Sequence, residues 1–278
     1  MYSENSKLNC FGGEMQIKDS VALITGAGSG IGEVVSMDLA NRGCKVALVD
    51  MDESAAMKVA DSINKKGGEA IAIQADVSQE EETAMFVSKT LRSFNKLNIV
   101  IPCAGIIKDG LFLSPDSKTH KIKKKLDLKK WQSVLDVNLT GTFLTIRDSA
   151  EAIHNGGWPG LLVPISSINK VGQVGQLNYS SSKVATALFP KILIGEFMMR
   201  GIKNIRVVGI APGYASTPLL ESMNQNILDS LIKDIHLGRL VEPLEISSLI
   251  MHCAENEAIN ATTIEITGGI CFQGAVAK

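Results

Sequence analysis

Short apolar runs alternate along the chain with stretches in which apolar residues recur at helical spacing. The runs VALITG (Val21–Gly26), KVALVD (Lys45–Asp50), AIAIQAD (Ala70–Asp76), LNIVIPCAG (Leu97–Gly105), GLLVPIS (Gly160–Ser166), IRVVGIAPG (Ile205–Gly213) and TTIEITGG (Thr262–Gly269) predict seven strands. Between them the spacing predicts helices at IGEVVSMDLANRG and over Glu53–Lys66, Gln79–Phe94, Leu128–Asn155, Gln176–Arg200 and Glu242–Cys253. Short runs rich in Val and Ile suit a parallel sheet covered on both faces. The connections are long enough for helical crossovers, which make neighbouring strands parallel. The expected fold is α/β: a doubly wound seven-stranded parallel sheet flanked by helices. No repeat or linker interrupts the pattern, so residues 20–278 are expected as one domain behind an N-terminal extension of residues 1–19.

One segment breaks that rhythm. Residues 114–132, SPDSKTHKIKKKLDLKKWQ, carry seven lysines and two acids. A charge run of this kind usually faces water, here as a solvated loop or small hairpin. The other reading is a docking strip for an acidic partner. Pro190 falls inside the Gln176–Arg200 pattern and should kink that helix or end its first part.

Composition narrows the class. The chain of 278 residues is 45% hydrophobic and only 5% aromatic, so the core is expected to be aliphatic. A formal net charge of −1 gives no field favouring nucleic acid or an acidic membrane. Five cysteines (Cys10, Cys44, Cys103, Cys253 and Cys271) are scattered without metal-ligand spacing. They are expected to be reduced thiols, with no metal bound. No segment approaches the ~20 apolar residues of a membrane span. The first 19 residues lack the apolar core of a secretory leader and the arginines of a transit peptide, so a cytoplasmic location is expected.

Candidate chemistry begins at TGAGSGIG (Thr25–Gly32), where the first strand gives way to a helix. Gly26 lets the chain turn sharply. Gly30 and Gly32 let backbone and helix approach a pyrophosphate, for which the helix N-terminus supplies free N–H groups and partial positive charge. A glycine-rich turn without a ligand is the alternative. Asp50, ending the second strand, can accept hydrogen bonds from both ribose hydroxyls of an adenosine and would repel a 2′-phosphate. Neither Ser29 nor Met51 and Asp52 offers the cation that a 2′-phosphate wants, so NAD is expected rather than NADP. Asp76, followed by Val77, is placed to reach an adenine amino group; capping the next helix is the alternative.

Tyr179 and Lys183 are four residues apart on a predicted helix and share a face. An ammonium beside a phenol favours the phenolate, which predicts a tyrosine pKa pulled below its usual ~10. Such a tyrosine can exchange a proton with a carbonyl or hydroxyl oxygen. A serine hydroxyl at the end of the preceding strand, Ser166 or Ser167, could hold the same oxygen.

Together, Thr25–Gly32, Asp50, Asp76, Cys103–Gly105, Asn138, Ser166/Ser167, Tyr179/Lys183 and Pro212–Gly213 resemble the pattern of the short-chain dehydrogenase/reductase family. CAGI, DVNLTGTF and GQVGQLNYSSSK look most like its 3-oxoacyl-[acyl-carrier-protein] reductases and its NAD-using 17β-hydroxysteroid dehydrogenase type 8 branch. The resemblance implies a Rossmann-type fold and an NAD-dependent oxidoreductase that interconverts a secondary alcohol and a ketone by hydride transfer. It implies a catalytic set of Asn138, Ser167, Tyr179 and Lys183, with Tyr179 as general acid/base and Asn138 anchoring a water that relays protons to Lys183. It implies cofactor contacts from Gly26, Ser29, Gly30, Ile31, Gly32, Asp50, Asp76, Val77, Cys103, Ala104, Gly105, Tyr179 and Lys183. Pro212, Gly213, Ala215 and Thr217 would face the carboxamide side, and residues 214–236 would form a substrate lid. A 3-oxoacyl or 3-hydroxyacyl thioester, carried by an acyl carrier protein, is the favoured substrate. A polyol or steroid-like alcohol is a second reading, and a non-enzymatic NAD-binding accessory subunit or sensor a third. A homotetramer is the expected assembly.

The chain departs from the family pattern in three places: Cys103 replaces the usual Asn, the lysine-rich insert is long, and Pro190 interrupts the helix that usually forms dimers. The catalytic serine is open between two positions. Family spacing counts thirteen residues back from Tyr179 and lands on Ser166, whereas aligning LLVPISS places Ser167 there. Loops absorb deletions more readily than strands, which favours Ser167.

Overall fold

A computed structural model describes residues 15–221 and 223–270, without the side chains of residues 219 and 221. Residues 1–14 of the expected extension, residue 222 of the expected lid, and Cys10 and Cys271 lie outside the described residues. The elements, in chain order, are β1 (Val21–Thr25), α1 (Gly30–Asn41), β2 (Lys45–Asp50), α2 (Glu53–Lys65), β3 (Ala70–Gln74), α3 (Glu80–Phe94) and β4 (Ile99–Pro102). A hairpin of β5 (Leu113–Pro115) and β6 (Ile122–Lys125) leads into α4 (Leu128–Leu135), α5 (Thr142–Asn155), β7 (Gly160–Leu162) and α6 (Leu177–Arg200). The chain ends with β8 (Ile205–Pro212), α7 (Pro218–Glu221), α8 (Gln225–Lys233), α9 (Pro243–Glu255) and β9 (Thr262–Ile266).

Seven strands form one parallel sheet in the order β3-β2-β1-β4-β7-β8-β9. The chain runs outward from β1 to β3 and then resumes on β1's other side with β4. That reversal opens a crevice at the carboxyl ends of β1 and β4. The runs of the inner strands carry no polar alternation because helices cover both faces. Ala22 and Ile24 of β1 bury on one face, against Val35 and Leu39 of α1 and Ile246 and Ile250 of α9. Val21 and Leu23 bury on the other, against Phe86 of α3 and Ile146 and Ile153 of α5. Burying one such side chain contributes about 1.5–3 kcal/mol. Met15 and Ile17, in the stretch expected as an extension, are buried in the first of these clusters.

Three local expectations change. β7 is shorter than GLLVPIS suggests because Pro164 has no N–H for the ladder. Pairing resumes only at the Ile165–Ile210 bridge. The single helix expected over Leu128–Asn155 is divided by a π-helical segment at Asp136–Gly141. Pro190 does not end α6, which runs unbroken for 24 residues. The proline is buried against β8, where a Cβ at Gly209 would lie 3.3 Å from its ring. One turn away the Ala187 carbonyl accepts from the Thr263 hydroxyl at 2.8 Å, which ties this part of α6 to β9. The lysine-rich segment is the antiparallel β5–β6 hairpin followed by the start of α4. Asp116 turns it by accepting from the Lys118 and Thr119 amides at 3.0 and 2.9 Å.

Candidate active site

The candidate residues gather at the carboxyl ends of the parallel strands. The loop after β1 is tightly built. Gly26 has φ +65, and a Cβ there would lie 2.8 Å from the Ala104 backbone; a Cβ on Gly32 would lie 2.2 Å from the Gly26 carbonyl oxygen. These two glycines are therefore required by packing. Ser29 sits at the N-cap of α1 and gives no side-chain cap, so the first-turn N–H groups stay available to a phosphate. Ile31 packs partly against the core, and the Thr217 methyl lies 3.4 Å from a Cβ built on Gly30, bringing the base of the lid onto the loop.

Asp50 accepts from the Gly28 amide at 2.9 Å through Oδ2 and from the Asp52 amide at 3.0 Å through Oδ1. These bonds aim the carboxylate, and each oxygen keeps a lone pair for a ribose hydroxyl. Gly28 was not singled out by sequence. A Cβ there would lie 2.8 Å from Ala55 and 3.0 Å from Asp50 Oδ2, so only glycine lets the loop meet that carboxylate. The uncapped helix end, the tight glycine turn and the aimed carboxylate fit an adenosine dinucleotide. Asp76 Oδ1 accepts from Ser78 N and Oγ at 2.9 and 2.7 Å, a local turn leading into α3. Val77 packs on the π segment, 2.7 Å from a Cβ built on Gly141.

The π segment places Asn138. Its fully buried side chain bonds both backbone groups of Ile106, accepting from N at 2.8 Å and donating to O at 3.0 Å. The Thr142 and Thr145 hydroxyls bond back to the Asn138 and Gly141 carbonyls. A Cβ on Gly105 would lie 3.5 Å from Asn138 Oδ1 and 3.8 Å from Lys183 Nζ, so both side chains border that glycine. Lys183 Nζ donates to the Ile165 carbonyl at 2.9 Å and lies 5.6 Å from the centre of the Tyr179 ring. The Ser167 side chain faces the Tyr179 hydroxyl and acts to lower its pKa, while the Ser166 hydroxyl donates to the Lys183 carbonyl. The two neighbouring serines thus serve different partners.

The electrostatics differ from the expected lowering of the tyrosine pKa. Burial raises Tyr179 above its ordinary value; the Ser167 hydrogen bond opposes this, and the charges of Cys103 and Asp109 add to it. Burial also lowers Lys183 from 10.5 to about 8, only partly offset by Cys103. Desolvation outweighs attraction because both groups leave water together. Cys103 is held up to about 11 by burial, so it is a neutral thiol beside Lys183 at neutral pH.

A family model described as short chain dehydrogenase matches residues 20–228. The chain belongs to the short-chain dehydrogenase family. Like the family's members it is an enzyme, an oxidoreductase on a nicotinamide dinucleotide. It is similar to the human (3R)-3-hydroxyacyl-CoA dehydrogenase, 32% identical over 92% of this chain and 97% of that one. A 3-oxoacyl-[acyl-carrier-protein] reductase of Synechocystis is 32% identical over 90% of this chain and 96% of its own. A cis-4-hydroxycyclohexanecarboxylate dehydrogenase of Sinomonas cyclohexanicum is 30% identical over 90% and 96%.

On the far side of this short-chain dehydrogenase's crevice, the Gly213 amide donates to the Ile266 carbonyl at 2.8 Å, just after Pro212 closes β8. Ala215 bridges Val241. The expected lid holds α7 and α8; among its apolar residues Met223 and Ile227 are exposed, and no described residue of α8 is buried. Sequence reasoning passed over Asn178, which is fully buried beside Tyr179. Its Nδ2 donates to the Lys108 carbonyl at 3.0 Å and its Oδ1 accepts from the Tyr179 amide at 2.9 Å. The only available signal was a polar residue on the buried side of a catalytic-type helix. No helix among the described residues is long and apolar enough to cross a membrane.

Proposed function

We propose that this short-chain dehydrogenase uses NAD to interconvert 3-hydroxyacyl and 3-oxoacyl thioesters. The observation that carries the reading is the contact of Ser167 with Tyr179, and of Tyr179 with Lys183, at the crevice mouth. When bound, the nicotinamide supplies or accepts the hydride. Ser167 holds the substrate oxygen, and Tyr179 gives that oxygen a proton in reduction or takes one in oxidation. Because burial keeps Tyr179 protonated, the structure is set to donate; positive charge from Lys183 and the bound cofactor would favour the phenolate for the reverse direction. Lys183 would also hold the nicotinamide ribose, and Asn138 would anchor the water that returns protons to Lys183. Gly26, Ser29, Gly30, Ile31 and Gly32 would cradle the pyrophosphate, Asp50 the adenosine ribose, and Asp76 with Val77 the adenine. Cys103, Ala104 and Gly105 would line the dinucleotide, with Pro212, Gly213, Ala215 and Thr217 on its carboxamide side.

The thioester assignment follows the hydroxyacyl and oxoacyl relatives. The relative acting on a ring alcohol supports a second reading, a cyclic secondary alcohol. Exposed lysines of the β5–β6 hairpin support an acidic acyl carrier protein as the substrate's bearer. The α6 residues Val184, Leu188 and Ile192 make an exposed apolar stripe, which supports a homo-oligomer, by family a tetramer. Free Cys44, Cys103 and Cys253 support a reducing, cytoplasmic setting.

The test is NADH absorbance with a panel of 3-oxoacyl thioesters, ketones and secondary alcohols, run beside Tyr179→Phe. We expect turnover with the thioesters and a loss of about 10²–10⁴ in the variant. Activity confined to cyclic alcohols would reassign the substrate, and near-normal turnover in the variant would remove Tyr179 from the chemistry.

A further inference from the structure

We propose that Asp109, acting through Gln176 and Asn169, is a positioning residue that sets the direction of the Ser167 hydroxyl and thereby the proton at Tyr179. The proposal rests on the reading of Tyr179 as the acid/base.

The path is a chain of hydrogen bonds. Asp109 Oδ2 accepts from Gln176 Nε2 at 3.0 Å. Gln176 Oε1 accepts from Asn169 Nδ2 at 2.9 Å. The Asn169 backbone N–H donates to Ser167 Oγ at 3.1 Å, and the Ser167 side chain faces the Tyr179 hydroxyl. Polarity along this path is fixed at one end. An ionised carboxylate only accepts, so Gln176 must turn its amino group toward Asp109. Its carbonyl then faces Asn169, which must turn its own amino group inward. One anion at the rim thus decides two amide orientations that would otherwise be interchangeable.

This polarity leaves a trace. Asn169 Oδ1 is buried and has no hydrogen-bond partner among the described residues. A buried acceptor ordinarily finds a donor. Turning the Asn169 amide over would set Oδ1 against Gln176 Oε1, so the orphan persists for as long as Asp109 holds Gln176. With its side chain pinned, Asn169 keeps its backbone N–H on one lone pair of Ser167 Oγ. The serine's own proton is left to point at Tyr179. The Gly110 amide, donating to the Gly175 carbonyl at 2.8 Å, ties the Asp109 loop to the start of α6 beside this path.

The groups facing Tyr179 are Lys183, the Cys103 thiol and Asp109. Asp109 is exposed, so salt screens its field on the phenol and leaves orientation as its main influence.

The test uses the full chain with Asp109→Ala, Gln176→Ala, the double variant, and Asp109→Asn, whose side-chain oxygen can still accept. We expect each alanine variant to lose roughly tenfold in kcat with KM for NAD unchanged, the double variant to lose no more than the worse single one, and Asp109→Asn to recover most of the turnover. Losses that multiply in the double variant, or unchanged kcat in both singles, would overturn the proposal. A second readout needs neither substrate nor NAD. The phenolate absorbance of the protein minus that of Tyr179→Phe isolates Tyr179 among three tyrosines. Gln176→Ala keeps the Asp109 charge but breaks the path, so the Tyr179 midpoint should rise by roughly half a unit as the Ser167 bond weakens. An unmoved midpoint refutes the positioning role. The catalytic reading stands or falls separately, on the turnover of Tyr179→Phe.

Discussion

The Ser166 hydroxyl donates to the carbonyl oxygen of Lys183 at 2.7 Å, which ties the end of the strand to the backbone of α6. Its neighbour Ser167 faces the other way, toward Tyr179. The two serines should therefore fail differently. Ser166→Ala removes a buried hydrogen bond, a loss of about 1 kcal/mol, or up to ~3 if the acceptor is left unsatisfied. It should lower the urea midpoint while keeping most of kcat. Ser167→Ala removes the bond from the Asn169 amide and should lower the midpoint by a similar amount, but it should also lose on the order of 10²-fold in turnover. Paired urea melts and kinetics check both, and the reverse pattern would hand the catalytic role to Ser166.

The sheet was legible because its inner strands bury both faces, so their residue pattern depends on little beyond itself. The doubly wound order followed from connection lengths and handedness. What stayed hidden depends on partners distant in sequence. The π segment forms where Ile106 captures the Asn138 amide and Val77 crowds Gly141, and neither neighbour is apparent from DVNLTG. Pro190 looks like a helix breaker until Gly209 supplies the space against which its ring packs as α6 continues. The direction of the Tyr179 shift was misjudged because the Tyr-x-x-x-Lys spacing gives the charge but not the burial. Asp109, Gln176 and Asn169 are unremarkable polar loop residues until the fold joins them.

Asp50 makes cofactor choice testable. Its carboxylate is aimed by the Gly28 and Asp52 amides, leaving free lone pairs for ribose hydroxyls and negative charge against a 2′-phosphate. Asp50→Ala removes both. We expect KM for NAD to rise at least tenfold and the ratio of kcat/KM for NADP over NAD to increase by a larger factor. Because the carboxylate also orders the loop through both oxygens, Asp50→Asn serves as a second variant that keeps the side chain's shape and one acceptor oxygen while removing the charge. An NADP-to-NAD ratio unchanged in both variants would show that the ribose does not sit there.

The β5–β6 hairpin exposes Ile122, Lys123, Lys124 and Lys125 along one strand. Its base is closed by the Leu126 amide donating to the Phe112 carbonyl, and just beyond it Lys130 Nζ of α4 donates to the Asp109 carbonyl at 3.3 Å. Reversing Lys123, Lys124 and Lys125 to Glu should raise KM for a carrier-protein thioester about tenfold or more at low salt. The same change should leave a short free thioester nearly unaffected, and the difference should shrink as salt rises, because exposed charges are screened over about 10 Å at 0.1 M. Equal effects on both substrates would exclude docking by this strip.

Lys183 links the site to pH-dependent stability. Burial lowers it from 10.5 to about 8, so below about 8 the folded protein carries an ammonium it would rather not bury. A group whose folded pKa is depressed gives its full stability above the unfolded value and loses it as pH falls through the folded one. For Lys183 that window runs from 10.5 down to about 8. Lys183→Met has no such loss. In cofactor-free protein, the variant should therefore be more stable than the parent at pH 7, by an amount that shrinks steadily as pH rises toward 10.5. Cys103, held up to about 11, titrates over the same alkaline range in both proteins, so it cancels to first order in the comparison. Urea melts of both at intervals across the window measure the difference. A difference that is constant with pH would mean that Lys183 is not desolvated as the structure has it, and the relay assigned to Asn138 and Lys183 would lose its physical basis.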